Sequence, residues 1–241
     1  MKKINPRDYP HITVLTGAGV SVASGLGTYR GRTAVPEGKK PPTIDTFQED
    51  PMEIWRLFAP RKEAVLAGEP NPAHLALARL EKEIHAAGSF NLITQNVDGF
   101  HGRAGSRNVV EMHGYLFRTR CGDIYCDFEP FLDEDLHLDE LPRCPVCSSP
   151  LRPDVVLFGE TIKMRSGWLA DAMRECDLFI AAGTSGTVYP AANYVRRAKN
   201  EGRARTLLVN LEPTEGDETI YDDVIYGKVE EVLPELFEWR E

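Results

Sequence analysis

The distribution of apolar and polar residues along the chain predicts short buried strands separated by helices. Six apolar runs have the length and composition of strands, at residues 11–16, 90–94, 109–110, 155–158, 178–182 and 206–210. Apolar positions at helical spacing predict helices over residues 53–66, 72–85, 169–176, 191–200 and 230–238. Pro60 is expected to kink or interrupt the first helix, and Asn71 to cap the second. Strands that alternate with helices predict an α/β fold with a doubly wound, mostly parallel, Rossmann-like sheet.

The charge balance narrows the classes of partner. The 241 residues carry a formal charge of -9, which argues against a nucleic-acid clamp and favours basic partners such as lysine-bearing peptides. No segment approaches the roughly 18 consecutive apolar residues of a membrane span. The N-terminus has neither the apolar segment nor the cleavage site of a signal peptide. We therefore expect a cytoplasmic protein, with reduced thiols and with no membrane or direct nucleic-acid partner.

A glycine-rich turn follows the first predicted strand. Gly17 and Gly19 allow a tight bend and a close approach to a pyrophosphate, and Ser21 adds a hydroxyl. The spacing to Gly25 is not the G-x-G-x-x-G of ordinary dehydrogenases, so a structural turn explains this segment nearly as well. Residues 28–30 add a hydroxyl, a ring and a cation, but by themselves they fit a surface loop equally well.

Polar residues also follow three other predicted strands, at the point where each strand ends. They occupy residues 95–98, 183–185 and 210–212. Because ligands of open parallel sheets bind beyond the carboxyl ends of the strands, ribose hydroxyls and phosphates would find partners there. Any one of these segments could be an ordinary polar loop, but three beside a glycine-rich turn favour a dinucleotide site.

Four cysteines form two close pairs in the middle of the chain. Cys121 and Cys126 enclose four residues, and Cys144 and Cys147 enclose two. Two such pairs separated by a loop are typical of a tetrahedral four-cysteine zinc site, which leaves no open coordination position and is therefore structural. A redox CxxC and unpaired core thiols are the alternatives. Cys176 stands alone at the end of an apolar helix and is interpreted as a packing residue.

His113 lies between the polar loop at residues 95–98 and the first cysteine pair. A lone histidine is more often a core or surface residue than a catalytic one. Here its position between a strand-end loop and a structural metal module favours catalysis.

Taken in order, these segments resemble the sirtuin family of NAD-dependent protein deacylases, over nearly the whole chain. The motifs that carry the resemblance are Gly17–Ser21 with Gly25, Thr28–Arg30, Thr94–Asp98, His113–Gly114, the four cysteines, Val156–Glu160, Gly183–Ser185 and Asn210–Glu212. By its length and by residues 152–160 the chain is similar to compact bacterial members.

The resemblance implies an NAD-dependent protein-lysine deacylase with a structural zinc ion. The cofactor-binding residues that it implies are Gly17, Ala18, Gly19, Ser21, Gly25, Thr28, Tyr29, Arg30, Gln95, Asn96, Asp98, Gly183, Thr184, Ser185, Asn210, Glu212, Lys228 and Val229. His113 is implied as the general base, a role that suits an imidazole because its pKa lies near working pH, with Asn96 and Asp98 completing the catalytic set. The implied products are nicotinamide, O-acyl-ADP-ribose and deacylated lysine.

The resemblance also implies where acyl-lysine peptides bind. The strand edge on which an extended peptide would lie consists of Val156, Phe158, Gly159 and Glu160. Phe58 and Arg61 align with the Tyr-x-x-Arg of members that remove acidic acyl groups, so Arg61 could pair with a succinyl or malonyl carboxylate. Phe58 lacks the tyrosine hydroxyl, a loss of roughly 1–3 kcal/mol toward a charged group. Equally, Phe58 could be core and Arg61 a solvated helix residue, with acetyl as the acyl group.

Three other departures from the family pattern concern the cofactor loop and the zinc module. Gly27 replaces a common proline, Tyr29 replaces a phenylalanine, and four residues rather than two separate the first cysteine pair. We therefore expect a more mobile cofactor loop and a looser zinc ribbon.

The expected organisation has three parts. Residues 1–33, 86–118 and 151–241 would form the NAD-binding domain, residues 34–85 a helical insert with the cofactor loop, and residues 119–150 the zinc module. The alternative function is an ADP-ribosyltransferase or NAD hydrolase on the same fold; retention of His113 argues against it. The intact set of Asn96, Asp98 and His113 argues against an NAD sensor without turnover, and the absence of G-x-G-x-x-G argues against a dehydrogenase.

Overall fold

The computed structural model describes residues 3–28, 41–84, 88–162, 166–184, 193–213 and 217–239. Nine strands lie within these ranges: β1 (His11–Thr16), β2 (Ser89–Thr94), β3 (Val109–Glu111), β4 (Gly114–Cys121), β5 (Phe131–Leu132), β6 (Leu151–Val155), β7 (Leu178–Ala182), β8 (Arg205–Asn210) and β9 (Asp223–Tyr226). The α-helices within them are α1 (Ile44–Glu49), α2 (Pro51–Ala67), α3 (Pro72–Ile84), α4 (Phe100–Arg103), α5 (Ser166–Arg174), α6 (Tyr194–Arg197), α7 (Asp217–Ile220) and α8 (Val229–Leu236).

The larger sheet confirms the predicted doubly wound fold. Its six strands run in the order β3-β2-β1-β7-β8-β9, and every neighbouring pair is parallel. From β1 the chain first builds outward to β3, then returns to the other side of β1 and builds outward to β9. The strand order therefore reverses between β1 and β7, and a crevice opens at their carboxyl ends.

Two apolar clusters cover the two faces of this sheet. One packs α3 and α8 on side chains such as Val14, Leu92 and Ile180. The other packs α5 and α6 on side chains such as Leu15 and Phe179. Because both faces are covered, the central strands are buried on both sides, which explains their nearly continuous apolar sequences.

The smaller sheet is antiparallel and has the order β5-β4-β6. It includes Leu151–Val155, whereas the predicted strand lay at residues 155–158. The strand ends at Val155, and Phe158 forms only an isolated parallel bridge with Thr43. Between and after them the chain turns, because Leu157 donates its backbone N–H to the Glu160 carboxylate and accepts a hydrogen bond from the Glu160 N–H. Both β4 and β6 thus lie in the sheet that carries the cysteines; the three-part division of the chain stays a prediction.

The helices follow the predicted positions with local differences. Pro60 lies inside α2, which continues to Ala67. Asn71 caps α3 as predicted, by accepting a hydrogen bond from the Ala73 N–H at 2.9 Å. The predicted helix at 191–200 consists, within its described residues, of α6 followed by a π-helical turn over Ala198–Gly202. None of the described helices combines the length and apolarity needed to cross a membrane.

Candidate active site

The glycine-rich turn after β1 packs directly against the turn after β7. A Cβ atom added at Gly19 would lie 2.7 Å from the Gly183 Cα, and one at Gly17 would lie 2.8 Å from the Gly183 carbonyl oxygen. Gly183 itself has a φ of 59°, a conformation that favours glycine. The glycines therefore bring two strand-end loops together at the switch point, where doubly wound sheets bind their ligands.

Ser21 is the centre of a buried polar cluster beside this turn. Its hydroxyl donates to the Asp98 carboxylate at 2.8 Å and accepts from the Asn96 amide at 3.0 Å. The His74 Nε2 lies 3.4 Å from the same hydroxyl. Ser21, His74, Asn96 and Asp98 are all buried. Two predicted segments, the glycine-rich turn and the loop after β2, are thus joined by hydrogen bonds that hold their side chains in fixed positions.

Burial sets the charge of the groups in this cluster. The pKa of His74 falls to about 4 because burial disfavours the charged imidazolium. Its Nδ1 accepts a hydrogen bond from the Asn71 N–H at 3.2 Å, so the proton of the neutral ring is on Nε2 and faces Ser21. Burial raises the pKa of Asp98, against the opposing effect of hydrogen bonds from the Phe100 N–H and from Ser21. The cluster is therefore a low-dielectric site with a neutral histidine.

A second buried histidine lies on the other side of the Asp98 loop. His101 Nε2 lies 2.9 Å from the Thr16 hydroxyl, which donates in turn to Thr94. Complete burial holds the pKa of His101 well below its usual value, and repulsion between the two imidazolium forms of His101 and His74 would lower it further. A cavity of about 250 Å³ lies between this loop, α4 and β3. Two buried atoms of its lining residues, His101 Nδ1 and Ser106 Oγ, have no hydrogen-bond partner within the described part of the chain.

His113 lies at the same edge of the sheet, directly after β3. Its Nδ1 is 2.8 Å from the Gln95 carbonyl oxygen. Because a carbonyl can only accept, Nδ1 carries the proton of the neutral ring, and Nε2 has its lone pair available. Burial lowers the pKa of His113, and the hydrogen bond to Gln95 partly opposes this shift. A neutral imidazole in a fixed orientation with an available Nε2 can act as a general base near neutral pH.

Gln95 connects His113 to the turn after β7. Its side-chain amide donates to the Thr184 hydroxyl at 2.9 Å, while its backbone carbonyl holds the histidine. Farther along the edge, the Asn210 side chain donates to the Glu212 carbonyl oxygen at 3.1 Å. The structure therefore brings the predicted residues after β2, β7 and β8 to one edge of one sheet.

Two further predicted cofactor residues lie at the start of α8. Lys228 is exposed and forms an ion pair with Glu231 at 2.9 Å. Val229 is 3% exposed and packs in the core, so only its backbone is available to a ligand. Tyr29, Arg30 and Ser185 lie outside the described residues.

The four cysteine sulfurs converge at the end of the smaller sheet. All four lie within 4.8 Å of one another; the Cys121 and Cys147 sulfurs are 3.5 Å apart, and those of Cys126 and Cys144 are 3.7 Å apart. Tetrahedral ligands with zinc–sulfur bonds of about 2.3 Å have sulfurs about 3.8 Å apart, so the site fits a zinc ion. Cys176 is fully buried, and burial raises the pKa of its thiol to about 11, in agreement with a packing role.

Comparison with known proteins identifies the family. The model of the Sir2 family matches residues 17–190. The chain belongs to the Sir2 family. An "NAD-dependent protein deacylase" of Vibrio cholerae is 39% identical over 235 residues, which is 95% of this chain and 93% of that protein. One from Pyrococcus furiosus is 41% identical over 234 residues, covering 92% of this chain and 90% of that protein.

Solved structures of Sir2 proteins have the same fold. A Sir2 homologue in complex with NAD has a TM-score of 0.85 and 37% identity, with 96% of this chain and 90% of that chain covered. A complex of Sir2 with a p53 peptide and NAD+ has a TM-score of 0.81 and 32% identity, with 95% and 93% covered.

In this Sir2 chain, the segment predicted to bind the substrate peptide already has several internal bonds. The Val156 N–H donates to the His113 carbonyl oxygen at 2.8 Å. Phe158 exchanges backbone hydrogen bonds with the strand-like segment before α1, donating to Pro42 at 2.9 Å and accepting from Ile44 at 3.0 Å. The Phe158 side chain is 54% exposed. One edge of this segment is therefore occupied at Phe158, and a peptide would have to use the remaining groups.

Glu160 has a structural partner within this segment. Its carboxylate receives two hydrogen bonds of 2.9 Å from the Arg152 guanidinium, which is 1% exposed. It also lies 3.3 Å from Arg120 and caps the turn through the Leu157 N–H. With both oxygens engaged, Glu160 holds the turn in place and ties it to β6.

Phe58 and Arg61 occupy different environments although they share α2. Phe58 is 6% exposed and packs in the apolar cluster with Leu26 and Phe100. Arg61 donates to the Gly27 carbonyl oxygen at 3.2 Å, at the start of the cofactor loop, and its charge acts on Asp98. Phe58 therefore contributes to the core, while Arg61 faces the edge of the site.

Several features of the site were not predicted from the sequence. His74 and His101 were not singled out, Asn71 was predicted only as a helix cap, and Glu160 was predicted as a substrate residue without its pairing to Arg152. A buried polar residue at the first turn of an apolar helix is a detectable signal for His74. His101 and Arg152 gave no such signal, because their partners are distant in the sequence.

Proposed function

We propose that this chain is an NAD-dependent protein-lysine deacylase that consumes NAD as a co-substrate. The observation that carries the proposal is the fixed His113, whose Nδ1 is bonded to Gln95 while the same loop supplies Asn96 and Asp98 to the buried cluster around Ser21. The likeness to relatives named NAD-dependent protein deacylase, and to Sir2 structures with NAD and with a p53 peptide, supports the same conclusion.

His113 would act as the base of the reaction. The acyl oxygen of the lysine would attack the ribose C1′ as nicotinamide leaves, and His113 Nε2 would then take a proton from a ribose hydroxyl, which attacks the acyl carbon. Water completes the balance, so that the products are nicotinamide, O-acyl-ADP-ribose and lysine. The lowered pKa of His113 keeps the ring neutral and able to accept that proton at neutral pH.

The buried cluster would bind the nicotinamide half of NAD. Asn96 and Asp98 would contact the ribose and the carboxamide, and the loops at Thr184 and Asn210 would hold the adenosine half. Since Ser21, Asn71 and His74 already fix these side chains by hydrogen bonds, little ordering would be required when NAD binds. The zinc ion, held by the four cysteines, would stabilise the smaller sheet and take no part in the chemistry.

The decisive experiment measures nicotinamide release with NAD and an acetyl-lysine peptide, each alone and together. We expect release only with both, and a loss of turnover of about a hundredfold to ten-thousandfold for His113→Ala, since general base catalysis contributes about 10²–10⁴. His11→Ala is the matched control, because His11 begins β1 at the opposite edge of the sheet and bonds to Ser89. An acyl peptide left intact by the wild type would refute the proposal.

The competing function is NAD hydrolysis or ADP-ribosyl transfer. Mass spectrometry of the products separates the two, because a deacylase yields O-acyl-ADP-ribose whereas a hydrolase yields free ADP-ribose without requiring an acyl peptide. The fixed orientation of His113 favours the deacylase, since hydrolysis has no ribose hydroxyl to activate toward an acyl carbon.

We further propose that Arg61 pairs with the carboxylate of acidic acyl groups. It reaches Gly27 at the entrance of the cofactor loop, and its charge acts on Asp98. A charge-assisted hydrogen bond contributes about 1.5–3 kcal/mol, so Arg61→Met should lower kcat/KM for succinyl-lysine peptide at least about tenfold relative to acetyl-lysine peptide. Arg56→Met, a change at an exposed arginine of the same helix, is the control. An unchanged ratio would leave acetyl as the acyl group and Arg61 as a structural residue.

A further inference from the structure

The zinc module exposes a concentration of large apolar side chains. Tyr125 is 88% exposed, Leu132 75%, Val146 67% and Ile124 60%. Of twelve exposed large apolar residues in the described part of the chain, six lie between residues 119 and 150. Single exposed apolar side chains are ordinary, but a concentration of them marks an interaction surface.

The cysteines bring three of these side chains together. Ile124 and Tyr125 lie in the spacer of the first pair, and Val146 lies in the spacer of the second; the 3.5 Å contact between Cys121 and Cys147 joins the two spacers. Phe128, just after the first pair, packs against Phe131 of β5 with ring centroids 5.9 Å apart, which connects Phe131 to the first cysteine pair. Leu132, the next residue of the same strand, faces the opposite side. We call Ile124, Tyr125, Phe131 and Val146 the apolar tip.

The apolar tip is surrounded by negative charge. Residues 119–150 contain eight carboxylates and two arginines, a net charge of -6 out of -9 for the chain. Seven of these carboxylates are exposed, and none of the seven forms a salt bridge with a cation in the described ranges: Asp123, Asp127, Glu129, Glu134, Asp135, Asp139 and Glu140. Burial lowers the pKa of Lys62, and the charges of Glu134 and Asp135 partly oppose this shift. The Lys62 ammonium nevertheless donates its hydrogen bond to the backbone carbonyl oxygen of Asp135, not to a carboxylate.

We propose that the apolar tip binds a cationic segment of a partner protein, rich in lysine or arginine with interspersed apolar side chains. Such a segment matches both features, because its apolar residues would cover the tip while its cations face the surrounding carboxylates. The same charge disfavours the other occupants: nucleic acid and anionic membranes are repelled, and a second copy of the chain would oppose like charges.

The position of the tip connects this surface to the proposed deacylase site. β4 begins at Gly114, next to His113, and ends at Cys121, so the tip lies about 25 Å from the histidine at about 3.3 Å per residue. An extended chain of about eight residues spans that distance. We therefore infer that the partner segment belongs to acyl-lysine proteins themselves; this extension depends on the proposed function, while binding to the tip does not.

Binding is tested with a labelled, unacylated peptide of mixed lysine and leucine, by fluorescence anisotropy on the zinc-loaded protein. Two comparison peptides replace all lysines by glutamate or all leucines by serine. We expect the mixed peptide to bind at least about tenfold more tightly than either, with an affinity that falls as salt rises. Equal affinities would overturn the proposal.

Variants locate the binding surface. Tyr125→Ser combined with Val146→Ser should weaken binding about tenfold, and Asp127→Lys combined with Glu129→Lys should weaken it further and reverse the peptide preference. The matched controls change exposed residues elsewhere: Leu66→Ser with Leu75→Ser, and Glu175→Lys with Glu238→Lys.

Zinc content and thermal unfolding identify any variant that fails to fold, and the charge-reversal pair, which changes no apolar side chain, gives an independent result. If the controls weaken binding as much as the tip variants, the proposal is wrong. It is equally wrong if sedimentation shows that the tip variants convert a wild-type dimer into a monomer.

The link to catalysis is tested separately. An acetyl-lysine peptide with a cationic, leucine-containing segment about eight residues away should have a KM at least about tenfold below that of the peptide with a neutral segment, at equal kcat. Tyr125→Ser with Val146→Ser should remove this difference. If the protein deacylates no peptide at all, the proposed function fails while anisotropy still reports on the tip. If the peptides with the cationic and the neutral segment are deacylated with the same KM, only the inference that the partner segment belongs to acyl-lysine substrates fails.

Discussion

The buried polar cluster around Ser21, which we call the strand-edge cluster, and the zinc module are both connected to His113 and are stabilised in opposite ways. In the cluster, Ser21, Asn71, His74, Asn96 and Asp98 are buried polar residues whose positions depend on a shared hydrogen-bond network. The zinc module has only a small buried apolar cluster, formed by Cys121, Cys144 and Leu151. The strand-edge cluster is therefore ordered by hydrogen bonds among buried polar groups, whereas the zinc module is ordered by its metal.

The strand-edge cluster and the zinc module are nevertheless directly connected at His113, the proposed general base. β4 continues from His113, and the Val156 N–H at the end of β6 donates to the His113 carbonyl oxygen. Loss of order in the zinc module should therefore reach His113 through two chain segments, while the six-stranded sheet behind the cluster keeps its own core on both faces.

Removal of zinc should have the largest effect. Structural zinc contributes about 10–16 kcal/mol of binding free energy in small zinc domains, and here the module has few apolar contacts to replace it. We expect Cys144→Ser to abolish zinc binding and to expose residues 122–149 to proteolysis, with loss of activity. Hydrogen exchange should show that β1, β2, β7 and β8 stay protected.

Cys176→Ser is the control for this experiment, because that cysteine is buried in an apolar cluster on the six-stranded sheet, away from the other four. It should retain a full equivalent of zinc. If the Cys144→Ser protein stays intact and resistant to protease, the zinc module is held by its own packing. It would then not differ from the strand-edge cluster in needing a metal.

The ion pair between Arg152 and Glu160 should have the next largest effect. Breaking a buried pair by removing one partner costs about 3–5 kcal/mol, because the other charge stays buried and uncompensated. Glu160→Gln should therefore lower the free energy of unfolding in urea by about that amount. Arg152→Met combined with Glu160→Met should be less harmful than Glu160→Gln, since the fully buried charge is removed and Arg120 keeps its ion pair with Asp154 at 3.3 Å. The reverse order would show that Glu160 acts mainly through its bonds to the Leu157 turn.

The sequence predicted the sheet well and the site only in part, for physical reasons. The runs at β1 and β7 are apolar because both faces of the sheet are covered, and such runs can be recognised. The run at 155–158 has the same composition, but Glu160 and Leu157 close it into a turn, which periodicity cannot reveal. Likewise, helical spacing places His74 on a buried face but cannot show that Ser21, 53 residues away, comes to meet it.

Acid should destabilise the strand-edge cluster through His74. Its pKa is about 4 when folded, against about 6.5 when unfolded, so unfolding takes up protons at low pH. The stabilisation is fully present above pH 6.5 and is lost as pH falls toward 4, by about 3 kcal/mol at 1.36 kcal/mol per pKa unit. His74→Asn should flatten this dependence of the unfolding free energy on pH.

The variant must be compared with wild type because other titrating groups in the region also change the unfolding free energy with pH, some in the same direction as His74 and some in the opposite one. His101 adds to the loss in acid, whereas the raised pKa values of Asp98 and Glu111 oppose it, since protonation of these buried carboxyls favours the folded state. A pH dependence that is the same in His74→Asn and wild type would mean that His74 is solvated and titrates normally.

The smallest expected effect comes from two buried serines, one with hydrogen bonds in the strand-edge cluster and one without a partner. Ser21→Ala and Ser106→Ala remove the same hydroxyl from two buried positions, but Ser21 bonds to Asp98 and Asn96 while Ser106 Oγ has no partner in the described structure. Ser21→Ala should cost about 1–3 kcal/mol, because it leaves buried polar atoms unsatisfied, and Ser106→Ala about zero. Urea unfolding without NAD measures both. Equal losses would show that Ser106 is hydrogen-bonded within its cavity, and that both sides of the Asp98 loop depend on satisfied polar groups to the same degree.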